Sequence, residues 1–452
     1  MAKRNLKHSK KVRNLVAICC LVGILLTVST YAWFIGMKKV TVDSFDIDIA
    51  TTEGLFLSMN GKDWSYTLDA ANAQSYDGNA NTWANTPDEY GNSGLIPLSS
   101  VGDMDEDSSR MKLYEKGSFT ATKGGYRLLA SQVNNYTETV ETSGEYKEGK
   151  GYVAFDLFIK NISGEEYYEE NEPRNEEAIY LNTNSAVTVS AAGGKAGSGI
   201  ENSVRVAFVQ LGRVVATTGS DVDSPTYAEE IKAITGITCA DKAEGVAKVT
   251  GICRNAQIWE PNDTAHVDNA IKYYNKACKK RIAEGTGFGT AVDINDDAYS
   301  NEACGTVSNG TAYPTYAVSR AINVEDHVDG YDGTAYNSFA GNVTDYSVYS
   351  TALAGDEFDA SDYKLVNFPY FTDTMKNLTG ENRPQFMTLA PNSITKLRVY
   401  IWIEGQDIDN YDFAQLGLKV SVNFGFTKER FEETDFPGYD GPSTDITPTA
   451  GA

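Results

Sequence analysis

Three short runs place oxygen-bearing side chains on alternate residues: Asp103-x-Asp105-x-Asp107, Asp293-x-Asn295-x-Asp297 and Asp407-x-Asp409. Hard cations collect such oxygens on loops, so calcium is the ion these runs fit. None of them has the glycine and terminal glutamate of an EF-hand loop, and a solvated acidic turn is the alternative reading of each. Other chemistry has little to stand on. The chain holds three histidines, His8, His266 and His327, and no His-Glu-x-x-His pair for zinc. It lacks a Gly-x-Ser-x-Gly elbow and a phosphate-cradling Gly-x-x-x-x-Gly-Lys-Ser/Thr loop. Gly285-Thr286-Gly287-Phe288-Gly289 follows a predicted helix, whereas a dinucleotide fingerprint needs a strand before it and a helix after it. Carboxylates are so abundant that no single pair singles out glycoside hydrolysis. The expectation is a protein that is not an enzyme and carries no cofactor, with calcium as the one candidate ion.

Six cysteines divide into two groups. Cys19 and Cys20 lie in an apolar N-terminal stretch, while Cys239, Cys253, Cys278 and Cys304 share one window. In an exported region four cysteines point to two disulfides, with three pairings open. The Cys-x-x-Cys spacing of a zinc site is absent. Free thiols are the alternative. The tryptophans Trp64, Trp83, Trp259 and Trp402 are candidates for stacking on sugars, with Tyr400 and Trp402 on one strand face. Packing beneath a loop or against a neighbouring subunit is the other reading of that face.

Export is argued from the N-terminus. A basic head (Lys3, Arg4, Lys7, Lys10, Lys11, Arg13) runs into an uncharged apolar stretch from Leu15 to Ile35. That length suffices to span a bilayer, and the basic cluster holds the N-terminus on the cytoplasmic side. Thr30 and Ala32 are small residues one position apart, the pattern of a signal-peptidase site ahead of Trp33. Cleavage there, or retention as a membrane anchor, are the two fates. Cleavage removes six of the 39 basic residues and none of the 62 acidic ones, leaving 33 and a net charge of −29. So acidic a surface argues against nucleic acid and anionic lipid as partners.

Alternating apolar residues predict the elements behind these groups. Val40 and Val42 alternate in one phase; Phe45, Ile47 and Ile49 continue in the other, the mark of a bulge, a bend or a switch between partners. Leu55–Leu57, Val153–Ile159, Val187–Val189, Val204–Phe208, Leu397–Ile403 and Leu416–Phe426 read as further strands. Residues 60–110 read as loop and Glu404–Asn410 as an acidic turn. Ser224-Pro225 opens a helix that Gly236 can end, and a second helix is predicted from about Ala265 to Glu284. Between them Gln257–Glu260 is expected to return to the sheet. The division is a signal peptide or anchor over 1–32 and a β-sandwich over 33–220 and 311–427. A helical insertion with the four cysteines occupies 221–310, and a tail 428–452. No sortase motif is present.

Thr30-Tyr31-Ala32-Trp33-Phe34, then the Phe45 strand and Gly54-Leu55, resembles the start of the TasA/camelysin family of Gram-positive bacteria. The resemblance covers about the first 55 residues. It implies removal of the leader after Ala32 by a dedicated SipW-type peptidase. It also implies an all-β, jelly-roll-like antiparallel sandwich that polymerises into extracellular biofilm-matrix fibres. In such fibres the N-terminal strand, here Val40, Val42, Phe45, Ile47 and Ile49, completes the sheet of the next subunit by β-augmentation. The zinc protease activity sometimes attached to camelysins has no visible ligands in this chain. The partners expected are the chain itself or other surface proteins, the signal peptidase, and the membrane before processing. A membrane-anchored adhesin or glycan-binding sandwich is the alternative.

Overall fold

The computed structural model describes residues 46–51, 54–69, 95, 97–100, 102–118, 129–132, 148–149, 151–163, 165–189, 198–216, 233–241, 249–272, 308–312, 316–317, 366–367, 370–405, 407–411 and 420–428. Over these residues the architecture is all-β. One sheet holds β1 (Asp46–Thr51), β3 (Thr67–Asp69), β10 (Glu177–Leu181), β11 (Ala186–Val189), β18 (Met387–Leu389) and β20 (Val420–Thr427), with β11 and β10 both paired to β20. The other holds β2 (Leu55–Ser58), β4 (Pro97–Ser99), β7 (Tyr114–Ser118), β8 (Leu129–Gln132), β9 (Val153–Asn161), β12 (Val204–Val215), β13 (Thr250–Gly251), β14 (Gln257–Glu260), β17 (Phe371–Thr372) and β19 (Ser393–Glu404). Two ribbons, β5 (Met104–Asp105) with β6 (Arg110–Met111) and β15 (Tyr316–Ala317) with β16 (Val366–Asn367), stand apart.

Three long strands make the frame of the larger sheet. β12 runs antiparallel to β19 from Val204 opposite Ile403 to Val215 opposite Ser393, and β9 flanks β19 on its other side from Asn161 to Val153. Alternation turns Val153, Phe155, Leu157 and Ile159 of β9 toward the same core as Val206, Phe208, Val399 and Ile401. There they meet Val420, Val422, Phe424 and Phe426 of β20 and Ile179 and Leu181 of β10. Phe208 stands edge-on to Phe386, Phe424 and Phe426 at centroid distances of 5.3, 5.0 and 5.4 Å, locking sheet to sheet. Each such side chain contributes about 1.5–3 kcal/mol by leaving water.

The outer face of the larger sheet is also covered. Tyr152, Ala154, Val209, Tyr400 and Trp402 pack against Leu98, Met111, Leu113 and Ile258. Leu98, Met111 and Leu113 therefore belong to a second layer, and the described part of 60–110 is not all loop: β3, β4 and β5 fall within it and β6 begins at its end. Tyr400, Trp402 and Trp259 are buried and offer no surface for a sugar; of the two readings, packing beneath a covering segment holds.

The expected all-antiparallel pairing is also corrected. β1 with β20, β4 with β19 and β14 with β17 are parallel, so both main sheets are mixed. Gln257–Glu260 returns to the sheet beside β12 as the sequence predicts. Of the two predicted helices, the described parts are a helical turn at 233–236 and a helix start at 268–272. Their apolar residues Ile234 and Ala270 are fully buried. A further short helix, α1 (Asp373–Lys376), is capped by the Thr372 side chain. No helix among the described residues is long and apolar enough to cross a membrane, and residues 1–45, including the apolar stretch, lie outside them.

Candidate functional site

β1 is the described part of the segment whose phase changes. It lies between β20 and β3: parallel to β20 from Asp46 opposite Ser421 to Thr51 opposite Phe426, and antiparallel to β3 with Ile49 opposite Leu68. Ile49 enters the common core at 1% exposure, and Ile47 stands opposite Val422 in the register. Parallel strands cannot be joined by a tight hairpin. Here the first described strand lies beside the last, and no short connection ties the two. The other candidates at this end, Thr30, Ala32, Trp33, Val40, Val42 and Phe45, lie outside the described residues, as do Asp293, Asn295 and Asp297.

The Asp407-x-Asp409 run is not a solvated turn. It closes a buried ionic cluster at one end of the larger sheet. Arg205, fully buried on β12, donates to Glu260 Oε1 at 2.5 Å and to Asp407 Oδ2 at 2.7 Å, and its other arm reaches the carbonyls of Asn202 and Val204. Its guanidinium lies over Tyr370, 5.6 Å from the ring centroid. Burial alone would lower the Arg205 pKa, but the charges of Glu260, Asp407 and Glu404 outweigh it and raise the pKa, so the charge is permanent. Asp407 Oδ1 accepts from the Asp409 amide, and Glu404 is held by Ser99 Oγ and Trp402 Nε1.

His266 continues the chain of charges. Its Nδ1 lies 2.7 Å from Asp409 Oδ2 and its Nε2 3.0 Å from the Thr311 carbonyl oxygen. With Asp409 as a carboxylate both partners are acceptors, and the ring satisfies both as imidazolium. Burial would lower its pKa; the hydrogen bond to Asp409, the charges of Asp409 and Asp407, and the Thr311 carbonyl outweigh that and raise it. Burial also pushes the Asp409 carboxyl up, and both shifts keep a proton on the pair. Gly310 N donates to Thr264 O and His266 N to Asn309 Oδ1, so the 308–312 turn is fastened to the body through Thr264 and His266.

Compared with protein-family models, with curated proteins and with solved structures, the chain matches none of them. The geometry of its own residues therefore carries the functional argument.

For calcium that geometry is unhelpful. Asp407 and Asp409 spend their oxygens on Arg205, His266 and two backbone amides. Asp105 caps the 106–109 turn through the Ser108 amide, Asp103 accepts from Asn255 at 3.4 Å, and Asp107 is exposed. Burial raises the Asp103 carboxyl against the pull of Lys112. Among the described residues no group of three or more His, Cys, Asp or Glu is gathered to hold a metal ion.

The cysteine window resolves in part. Cys239 and Cys253 form a disulfide with Cα atoms 5.0 Å apart, whereas Cys278 and Cys304 lie outside the described residues. The bridge closes the loop that ends beside β13, where Gly251 lets the chain pass close to the Cys239 and Asp241 backbone.

Two further polar clusters escaped sequence reasoning. Glu148 accepts from Tyr152, Tyr400 and Arg398, and Arg398 also clamps Asp156. Glu176 receives Arg213, Arg254 and the Thr388 hydroxyl, while Arg213 also ties down the carbonyls of Tyr168 and Glu170. The available signal was a charge inside an apolar strand: Arg205 and Arg213 interrupt the β12 run, and Arg398 interrupts β19.

Proposed function

We propose that this chain is an exported structural protein of the cell surface or biofilm matrix of a Gram-positive bacterium, assembling into fibres by N-terminal strand donation. The observation that carries the reading is the place of β1. A strand at the start of the described chain sits between β20 and β3 and fills the core with Ile49. Withdrawing it would open a slot with two hydrogen-bonding edges. An identical strand from another copy would fill that slot with the same register and the same buried contacts, so exchange loses no interaction. The basic-apolar leader with Thr30, Ala32 and Trp33 supports export, and a jelly-roll order of strands belongs to the same proposal. The mature charge of −29 would set copies against each other and makes assembly dependent on salt.

Mass mapping of the N-terminus of protein released from native cells, with electron microscopy of the same fraction, tests the proposal. A mature start at Trp33 together with filaments supports it. An intact N-terminus in the membrane fraction without filaments overturns it and leaves an anchored surface protein.

A further inference from the structure

A lysine, a glutamate and an asparagine converge where the two sheets meet. Asn161 ends β9, Glu177 opens β10 and Lys428 follows β20. One oxygen, Glu177 Oε2, accepts from Asn161 Nδ2 at 2.8 Å and lies 3.0 Å from Lys428 Nζ. The other, Oε1, accepts from Ser163 Oγ at 2.6 Å. Asn161 is fully buried, and its Nδ2 also donates to the Ala390 carbonyl at 2.9 Å. Its Oδ1 is buried without a hydrogen-bond partner. Lys428 Nζ is aimed inward, donating to the Ile162 carbonyl at 3.1 Å. Gly54, at φ +85°, leaves room for that approach: a Cβ there would stand 3.2 Å from the same carbonyl and 3.7 Å from Lys428 Cδ.

We propose that Lys428 and Asn161 form an intramolecular isopeptide bond, with Glu177 as the proton carrier, which fastens the end of β20 in one sheet to the end of β9 in the other. The Glu177 carboxylate takes a proton from the Lys428 ammonium and frees the amine as a nucleophile. Nζ attacks Asn161 Cγ, and the new C–N bond gives a tetrahedral centre. The proton leaves Nζ and is passed by Glu177 to Nδ2, the Cγ–Nδ2 bond breaks, and ammonia departs. Ammonia then takes the remaining proton and Glu177 returns to carboxylate, so atoms and charge balance without an oxidant or co-reactant. The fold supplies proximity, since amine and amide rest on one oxygen. Burial would raise the Glu177 carboxyl, but hydrogen bonds from Ser163, Asn161 and Lys428 hold it below the ordinary range; the resting state is an ion pair, and proton transfer within it is the first step. Another lysine on a carboxylate shows what this site adds. Lys396 lies 3.2 Å from Asp156, but the second partner of that carboxylate is the Arg398 guanidinium rather than a side-chain amide.

The test is a tryptic peptide map of the folded, reduced full chain. The expected result is a single branched peptide joining the Asn161 and Lys428 segments, lighter than their sum by one ammonia. Lys428→Arg and Glu177→Gln are expected to return Asn161 to an unmodified linear peptide. Separate unmodified Asn161 and Lys428 peptides from wild-type protein with a cooperative unfolding transition would overturn the proposal. Ammonia loss that persists in Lys428→Arg would overturn it too, because that marks a succinimide at Asn161. The wild-type map decides even if a variant fails to fold.

Discussion

Arg205 shows how one side chain governs its surroundings. It neutralises Glu260 and Asp407 inside the fold, and removing one partner of such a set leaves uncompensated buried charge. Arg205→Ala is expected to lower unfolding free energy by about 3–5 kcal/mol, read from urea midpoints. His266 carries the pH dependence. Its folded pKa lies above its unfolded value, so between the two the native state binds more protons. Its stabilisation is complete at pH below the unfolded value and is lost as pH rises through the folded one. The stability difference between wild type and His266→Asn is therefore expected to shrink on raising pH through that window. A difference that grows with pH would contradict the imidazolium assignment. Glu176 works in the other direction: burial would raise it, but hydrogen bonds from Arg254 and Thr388 and the nearby guanidinium charges lower it, so its contribution fades in acid. None of this was legible from spacing. The Asp407-x-Asp409 run looks like a metal loop because a sequence lists oxygens and not their partners; Arg205 and His266 arrive from segments more than 140 residues upstream, as the separations to Asp407 and Asp409 show.

At the scale of elements the long strands were legible and their partners were not. The period-2 runs at β9, β12, β19 and β20 follow from which face meets the core, a local property of the chain. Pairing depends on topology, so the parallel partners of β1, β4 and β17 left no trace in the pattern. Residues 60–110 misled for a related reason: strands of two or three residues, such as β4, β5 and β6, are too short to show a period. The Cys239–Cys253 bridge is expected to contribute about 3 kcal/mol by restricting the unfolded chain, so the double Ser variant should lose that much in chemical denaturation. Gly251 supplies an independent check on the same corner. A Cβ there would meet the Cys239 and Asp241 carbonyl oxygens at 2.4 and 2.5 Å, and backbone cannot swing aside as a side chain can. Gly251→Ala is expected to lower stability by about 1–3 kcal/mol, measured by thermal melting.

For the whole molecule, the proposed assembly would link to stability through one strand. Ile49 fills the core of its own chain, and in the proposed fibre it would fill that of a neighbour. Ile49→Asp is therefore expected to abolish filaments and to destabilise the monomer together, by electron microscopy and by urea unfolding. Filaments that persist in that variant would show that assembly uses another surface. The sequence carried the change of phase within the segment of this strand. It did not announce the strand that would receive it, because β20 lies at the opposite end of the chain.

That separation has a consequence in time. Ribosomes make β1 before every other described strand and β20 after them, so Ile49 finds Phe424 only once all the strands between them exist. Contacts so far apart in sequence form slowly. Until β20 has been made, β1 has no intramolecular berth on it. The smaller sheet is thus closed by the first and the last of the described strands, and under the proposed strand exchange that interval is when a neighbour's vacancy would compete with its own.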